Sequence, residues 1–249
     1  MQLTDSVFGF EGAVETAGEN AHTVACIPGM DVDDVRGALE PECATVGLRS
    51  FSMGTEIRGS HRELESAIAR LSRFSDNADV QPVAVFSSIE TYLEAVVRRM
   101  KSAGVFLVAA ESCTAGLVTA TLTEVPGSSS VLWGGFIVYS NEAKIRIGVP
   151  PEIIESTGAV SRETVCSLVE ASLDRSSANT AVAVSGIAGP GGGTEAKPVG
   201  TVWVAAGTQG RRQLANERHF RGDRSKVRLL AVGACHAAVL RVTTELTEQ

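Results

Sequence analysis

Val105-Phe-Leu-Val-Ala-Ala110, running directly into Glu111-Ser-Cys-Thr-Ala-Gly116, is the stretch on which the fold turns. An apolar run of this length suits a strand covered on both faces. The polar segment behind it, ending in glycine, predicts a sharp turn into a helix from about Thr114 to Thr123. Working upstream, Ser87 or Ser88 caps a helix with Ile89, Leu93, Val96, Val97 and Met100 on one stripe. Glu90 in its first turn and Arg98, Arg99 and Lys101 in its last suit the helix dipole, and Gly104 can end it. Downstream, the pattern predicts a strand from about Val131 to Tyr139, a short helix near Asn141 to Ile147 and another opened by Pro150 and Pro151. Ser161 caps a helix carrying Val165, Leu168, Val169 and Leu173. Buried strands follow at Ala181 to Val184 and Thr201 to Ala206, then a weaker one ending near His219. The last helix runs from about Asp223 to Val242. Apolar strands alternating with amphipathic helices predict an α/β class, a three-layer α/β/α sandwich with a mostly parallel mixed sheet.

The upstream region is less regular. Residues 1–44 offer the weak strand His22-Thr-Val-Ala-Cys-Ile27 and a turn at Pro28-Gly29, without a core of their own. Residues 45–87 form a small α+β unit. Val46, Leu48 and Phe51 predict a short strand. Ser60 and Glu63 make a capping box before a helix carrying Leu64, Ile68 and Leu71, and Val80 to Phe86 predicts a second strand. Such a unit is too small for a comfortable isolated core and leans on its neighbours. The division is therefore 1–44, 45–87 and 88–249.

Composition narrows the function. The 249 residues are 44% hydrophobic and 20% charged, with a formal net charge of −7. An acidic surface repels nucleic acid and anionic membrane. Five cysteines without a C-x-x-C pair fit neither a disulfide framework nor a zinc site. The opening MQLTDSVFGFEG lacks the basic and apolar halves of a signal peptide. The uncharged stretch Val125 to Asn141 is broken by Pro126, Gly127 and serines, unlike a membrane span. A cytoplasmic protein without metal or cofactor is expected.

Three segments carry polar residues just past strand ends, where α/β folds place their sites. At the Ala110–Gly116 corner, Ser112 and Cys113 are both candidate nucleophiles, and N–H groups there can hold an oxyanion or a phosphate. A plainer account has Ser112 and Thr114 capping the helix and Cys113 packed inside. In Phe136-Ile-Val-Tyr-Ser-Asn-Glu-Ala-Lys144, Lys144 can act as a base if desolvation keeps it neutral, with Tyr139 orienting the proton. The plainer account there is a strand end, a capped helix and a solvated lysine, and a further variant pairs Lys144 with Ser140. Third, Val184 to Gly200 is glycine-rich, and Gly186, Ala188, Gly189, Gly192, Gly193 and Lys197 are candidates to contact an anionic ligand. A flexible hairpin explains it equally well. Arg224, opening the last helix, can fork onto a phosphate.

Taken together, AESCTAG, GFIVYSNEAK, SGIAGPGGGTEAKPVGTVW and FRGDR resemble, in order and spacing, the C-terminal domain of the CinA family, found alone as PncC-type nicotinamide mononucleotide deamidases. The resemblance spans about 150 residues. It implies metal-free hydrolysis of nicotinamide mononucleotide to nicotinate mononucleotide and ammonia. It implies Ser112 as nucleophile, Lys144 as its base and Tyr139 beside them. Cys113, Thr114, Gly116, the glycine-rich segment and Arg224 would line the nucleotide site, and a homodimer is expected.

Two departures stand out. The family usually has two glycines after the threonine, where this chain has Ala115-Gly116. If that site needs a positive φ, Ala115 costs activity, whereas a mid-helix site tolerates it. Full CinA proteins also carry an N-terminal domain that is molybdopterin-binding-like, with ADP-ribose pyrophosphatase activity. Here only Val24-Ala-Cys-Ile-Pro-Gly-Met30 resembles its closing strand, and Gly47 to Gly54 resembles the start of a KH-like linker. No glycine pair there has the G-x-x-G spacing that grips RNA, so neither pyrophosphatase nor nucleic-acid binding is carried over.

The leading expectation is thus an amidohydrolase working through a Ser-Lys acyl-enzyme on a small nucleotide substrate. The alternative is a weak or inactive CinA-like protein that binds nucleotides or acts as a scaffold. Phosphoryl transfer ranks last, because Glu111, Glu142 and Asp223 are scattered and capping roles account for them.

Overall fold

The computed structural model describes residues 23–30, 32–39, 47–51, 53–59, 63, 64, 66, 67, 70, 71, 84–86, 92–211 and 213–247. The expected caps at Ser60 and at Ser87 or Ser88, the positions of Ile68, Ile89 and Glu90, and the first half of the Val80 to Phe86 strand lie outside them.

In the upstream part the elements are β1 (Thr23–Pro28), α1 (Val32–Leu39), β2 (Gly47–Phe51), β3 (Gly54–Gly59) and β4 (Ala84–Phe86). The strands form one antiparallel sheet in the order β2-β3-β1-β4. The weak strand expected at His22–Ile27 is present as Thr23–Pro28, with His22 outside the described residues, and it pairs with strands drawn from the segment after residue 44. Two elements here escaped the sequence reading, α1 and β3. Gly54-Thr-Glu-Ile-Arg-Gly59 carries a single large apolar residue, so its strand character comes from pairing on both sides.

The larger part runs α2 (Tyr92–Ser102), β5 (Leu107–Glu111), α3 (Leu117–Thr123), a single 3₁₀ turn, β6 (Leu132–Ile137), α4 (Asn141–Ile147), α5 (Pro151–Thr157), α6 (Arg162–Asp174), β7 (Thr180–Gly186), β8 (Thr201–Thr208), β9 (Leu214–His219) and α7 (Arg224–Thr247). These elements follow the predicted order, with ends moved by a few residues. The Ser161 hydroxyl caps α6 by accepting from the Thr164 N–H at 3.2 Å.

The five strands form one mixed sheet, β6-β5-β7-β8-β9. Alternate residues of the buried β5 face opposite ways, as strand geometry requires. Leu107 and Ala109 join α2, α3 and α7 in one apolar layer. Val108 and Ala110 join Ile147, Ile154 and α6 in the other. The three-layer α/β/α sandwich is thereby built. The sheet is mixed and mostly parallel in strand direction: β6, β5, β7 and β9 run one way and β8 alone runs against them, which makes the β7-β8 and β8-β9 pairings antiparallel. No helix intervenes between β7 and β8 or between β8 and β9, so each pair folds back as a hairpin.

From β5 the chain crosses by α3 to β6 on one side, then returns by α4–α6 to β7 on the other. Connections that leave a strand on opposite faces open a crevice at its carboxyl end. That crevice lies at Glu111–Gly116. Among the described residues no helix is long and apolar enough to cross a membrane.

Candidate active site

Ser112 is the first residue past β5, and its N–H donates to Val184 O at 3.0 Å, extending the pairing with β7. Its partner comes from α4. The Ser140 hydroxyl accepts from the Ala143 N–H at 3.1 Å and fixes where that helix starts. Lys144 then points inward, 1% exposed. Its Nζ donates to Ser112 Oγ at 3.1 Å, to Val138 O at 2.8 Å and to Tyr139 O at 3.3 Å. The structure thus pairs Lys144 with Ser112, while Ser140 is occupied as a cap. Glu142, the nearest acid in sequence, faces Arg146 at 2.8 Å on the exposed side. Among the described residues no carboxylate pairs with Lys144. Burial therefore lowers its pKa from the usual lysine range.

Cys113, the rival nucleophile, is buried, and burial pushes its thiol up to about 11. At neutral pH it is a thiol, the unreactive form. Its carbonyl matters more than its sulfur, because Arg228 Nε donates to Cys113 O at 3.0 Å and Nη2 to Thr114 O at 2.8 Å.

The corner after Ser112 is not helical. Ala115 has φ 51° and Gly116 φ 96°, so α3 begins at Leu117 rather than Thr114. Left-handed geometry costs a residue with a Cβ about 1 kcal/mol. Ala115 is the only non-glycine with positive φ among the described residues. Gly116 offers no side chain to cap α3, and Glu111 replaces it from the strand end. Its Oε2 accepts from the N–H groups of Gly116 (2.7 Å) and Val118 (3.1 Å), and its Oε1 from the Thr119 N–H (3.0 Å) and hydroxyl (3.1 Å). A fully buried carboxylate with four donors at a helix N-terminus is satisfied by both hydrogen bonds and dipole.

The remaining expected residues form a rim and its supports. Tyr139 meets Lys144 only through its carbonyl, while its phenol, on a side chain 56% exposed, accepts from Arg224 Nη2 at 2.9 Å. Arg224 Nη1 donates to Gly189 O at 2.8 Å, joining the glycine-rich segment to the loop between β6 and α4. Lys197 Nζ donates to Thr157 O and Val160 O, both at 2.8 Å, and so anchors that segment to the α5–α6 junction. Gly186 and Gly189 leave no room for a Cβ against Val202 and Val199. Ala188 and Thr114 are buried, whereas Gly192 and Gly193 are exposed.

Sequence reasoning missed Arg228 altogether and gave Glu111 only a generic cap. The signal for Arg228 was its spacing: it follows Arg224 by four residues and therefore shares a helix face with it.

Residues 89–243 match the family profile described as the CinA C-terminal domain. The chain belongs to the CinA family. A CinA-like protein from Shewanella amazonensis is 41% identical over 181 residues, covering 72% of this chain and 42% of that one. A nicotinamide-nucleotide amidohydrolase PncC from Pseudomonas putida is 47% identical over 137 residues, covering 55% of this chain and 85% of that one. A crystal structure of the competence/damage inducible protein CihA from Agrobacterium tumefaciens superposes with TM-score 0.57 at 39% identity, covering 66% of this chain and 100% of that one. The chain spans half or less of the length of the CinA-like relatives it matches, from 38% to 50%.

Proposed function

We propose that this chain is an amidohydrolase that converts nicotinamide mononucleotide to nicotinate mononucleotide and ammonia through an acyl-enzyme on Ser112. The observation that carries this reading is the 3.1 Å contact between Ser112 Oγ and a buried lysine amine with no acidic partner among the described residues. Family membership and the PncC-named relatives supply the substrate class.

In this mechanism neutral Lys144 takes the Ser112 proton as Oγ attacks the amide carbon. The Thr114 N–H, turned away from Arg228, faces the developing oxyanion. The tetrahedral species collapses as the Lys144 ammonium passes its proton to the departing nitrogen, releasing ammonia and leaving an ester on Ser112. Lys144, neutral again, takes a proton from water. The hydroxide attacks the ester, and the proton returns to Ser112 Oγ as the carboxylate product leaves. Arg224 and the exposed Gly192–Gly193 turn hold the nucleotide's phosphate and ribose at the rim. Tyr139 positions Arg224 and the carbonyl under Lys144. A boundary near residue 87, a KH-like identity for the upstream unit and a cytoplasmic homodimer belong to the same reading; a boundary at residue 44 does not, because β1 sits between β3 and β4 in one sheet. Trp133 and Ile137, exposed on the edge strand β6, support the dimer.

The test is ammonia release from nicotinamide mononucleotide. Ser112→Ala should lose roughly 10³-fold or more of kcat, as loss of a nucleophile does elsewhere, and Cys113→Ala should keep activity. Full activity in Ser112→Ala refutes the mechanism. Nucleotide binding by calorimetry without ammonia replaces it with the binding-protein reading, which the strained Ala115 favours.

A further inference from the structure

We infer that Arg228 and Glu111 are positioning residues that jointly hold the Ser112 corner in its working shape by fixing the peptide units on either side of Ala115. This rests on the amidohydrolase reading and deepens it.

The peptide between Thr114 and Ala115 is held at its oxygen, where Arg228 Nη2 donates at 2.8 Å. The peptide between Ala115 and Gly116 is held at its nitrogen, which donates to Glu111 Oε2 at 2.7 Å. Ala115 lies between these two charge-assisted bonds with φ 51°, a conformation a residue with a Cβ keeps only when its surroundings over-determine it. The second arm of Arg228 reaches Cys113 O at 3.0 Å. In a trans peptide the N–H points opposite to the C=O. Fastening Cys113 O to Arg228 therefore directs the Thr114 N–H to the far side of the turn, the side assigned to the oxyanion.

The position of Arg228 supports a specific task. It lies in the second turn of α7, near the end where a cation opposes the helix dipole, although Asp223 caps that end by accepting from the Lys226 N–H at 2.8 Å. Arg224, one turn earlier, holds Tyr139 and Gly189. Two successive turns of one helix face thus bind the loops that follow β5, β6 and β7.

The experiment is a double-mutant cycle of Arg228→Gln and Ala115→Gly, with Arg228→Lys as the conservative variant and thermal melts to confirm folding. Arg228→Gln should lower kcat for ammonia release roughly 100-fold with little change in KM, as loss of a single oxyanion donor does. Arg228→Lys, able to reach one carbonyl at a time, should fall between. In the Ala115→Gly background the loss should shrink to about 10-fold, because glycine adopts the left-handed geometry without being held. A KM effect with kcat unchanged, or equal losses in both backgrounds, overturns the inference. Should the wild type release no ammonia, the substrate reading fails separately. Amide hydrogen exchange over Cys113–Leu117 then decides. Arg228→Gln must speed exchange more with Ala115 than with glycine, and equal acceleration overturns the inference.

Discussion

The base role proposed for Lys144 rests on where it is buried and what it lacks. Three oxygens surround Nζ, two of them backbone carbonyls, and none carries a full charge. Desolvation without a counter-charge favours the neutral amine, so its pKa lies below the 10.5 of a free lysine. The sign follows from linkage: the unfolded chain holds that proton to higher pH than the folded one, so raising pH favours both folding and the neutral base. A plot of kcat/KM against pH should rise on an acid limb whose midpoint lies below 10.5. Lys144→Arg should remove activity at every pH, because a guanidinium stays charged. An arginine variant with an unshifted profile would show that another group sets the limb. The sequence marked Ser112 and Lys144 as candidates through strand-turn-helix grammar and the four ordered motifs, and the fold brings the two side chains into contact. It left Cys113 open as a nucleophile, since burial decides thiol chemistry and burial is a property of the assembled layers. Ala115 was readable as a departure from the family, but the sign of its φ needed coordinates.

Among elements, the contact of α2, α3 and α7 contains a titratable group with no catalytic task. His236 on α7 is 1% exposed, its Nε2 lies 3.4 Å from Thr121 Oγ1 on α3, and its ring is 5.9 Å from that of Tyr92 on α2. Burial pushes its pKa down to about 4 from 6.5. The neutral ring belongs to the folded state, so the stability is fully present above pH 6.5 and is lost as pH falls toward 4. A shift of this size corresponds to about 3 kcal/mol at most. Denaturant titrations across that window should show wild type losing stability more steeply than His236→Phe; parallel curves would contradict the assignment. Elements with a strong apolar period, such as α2, α6 and β5, were legible from sequence. Those formed by pairing or by a distant cap were not. β3 depends on strands at either side, and α3 starts late because Glu111 at the end of β5 provides its first hydrogen bonds.

At the scale of the molecule, α7 joins everything. It lies on the central sheet, contributes Arg224 and Arg228 to the site and passes beneath the upstream sheet at Gly233. A Cβ at Gly233 would run into the Met53 carbonyl oxygen and come within 2.6 Å of the Gly29 nitrogen, the two atoms of the Gly29–Met53 hydrogen bond. Gly233→Ala should therefore cost about 1–3 kcal/mol by overpacking. Hydrogen exchange should quicken in β1 and β3 while β5 and β7 keep their protection. An unchanged melting temperature would mean that the two sheets are not fastened there. Because α7 follows every strand in chain order, one face of the central sheet stays bare of its largest cover until translation has passed residue 224. A nascent chain at that stage presents Val182, Val184, Val202 and Val204 to solvent. Premature stops in this helix should thus yield sticky, chaperone-dependent polypeptides rather than smaller folded proteins.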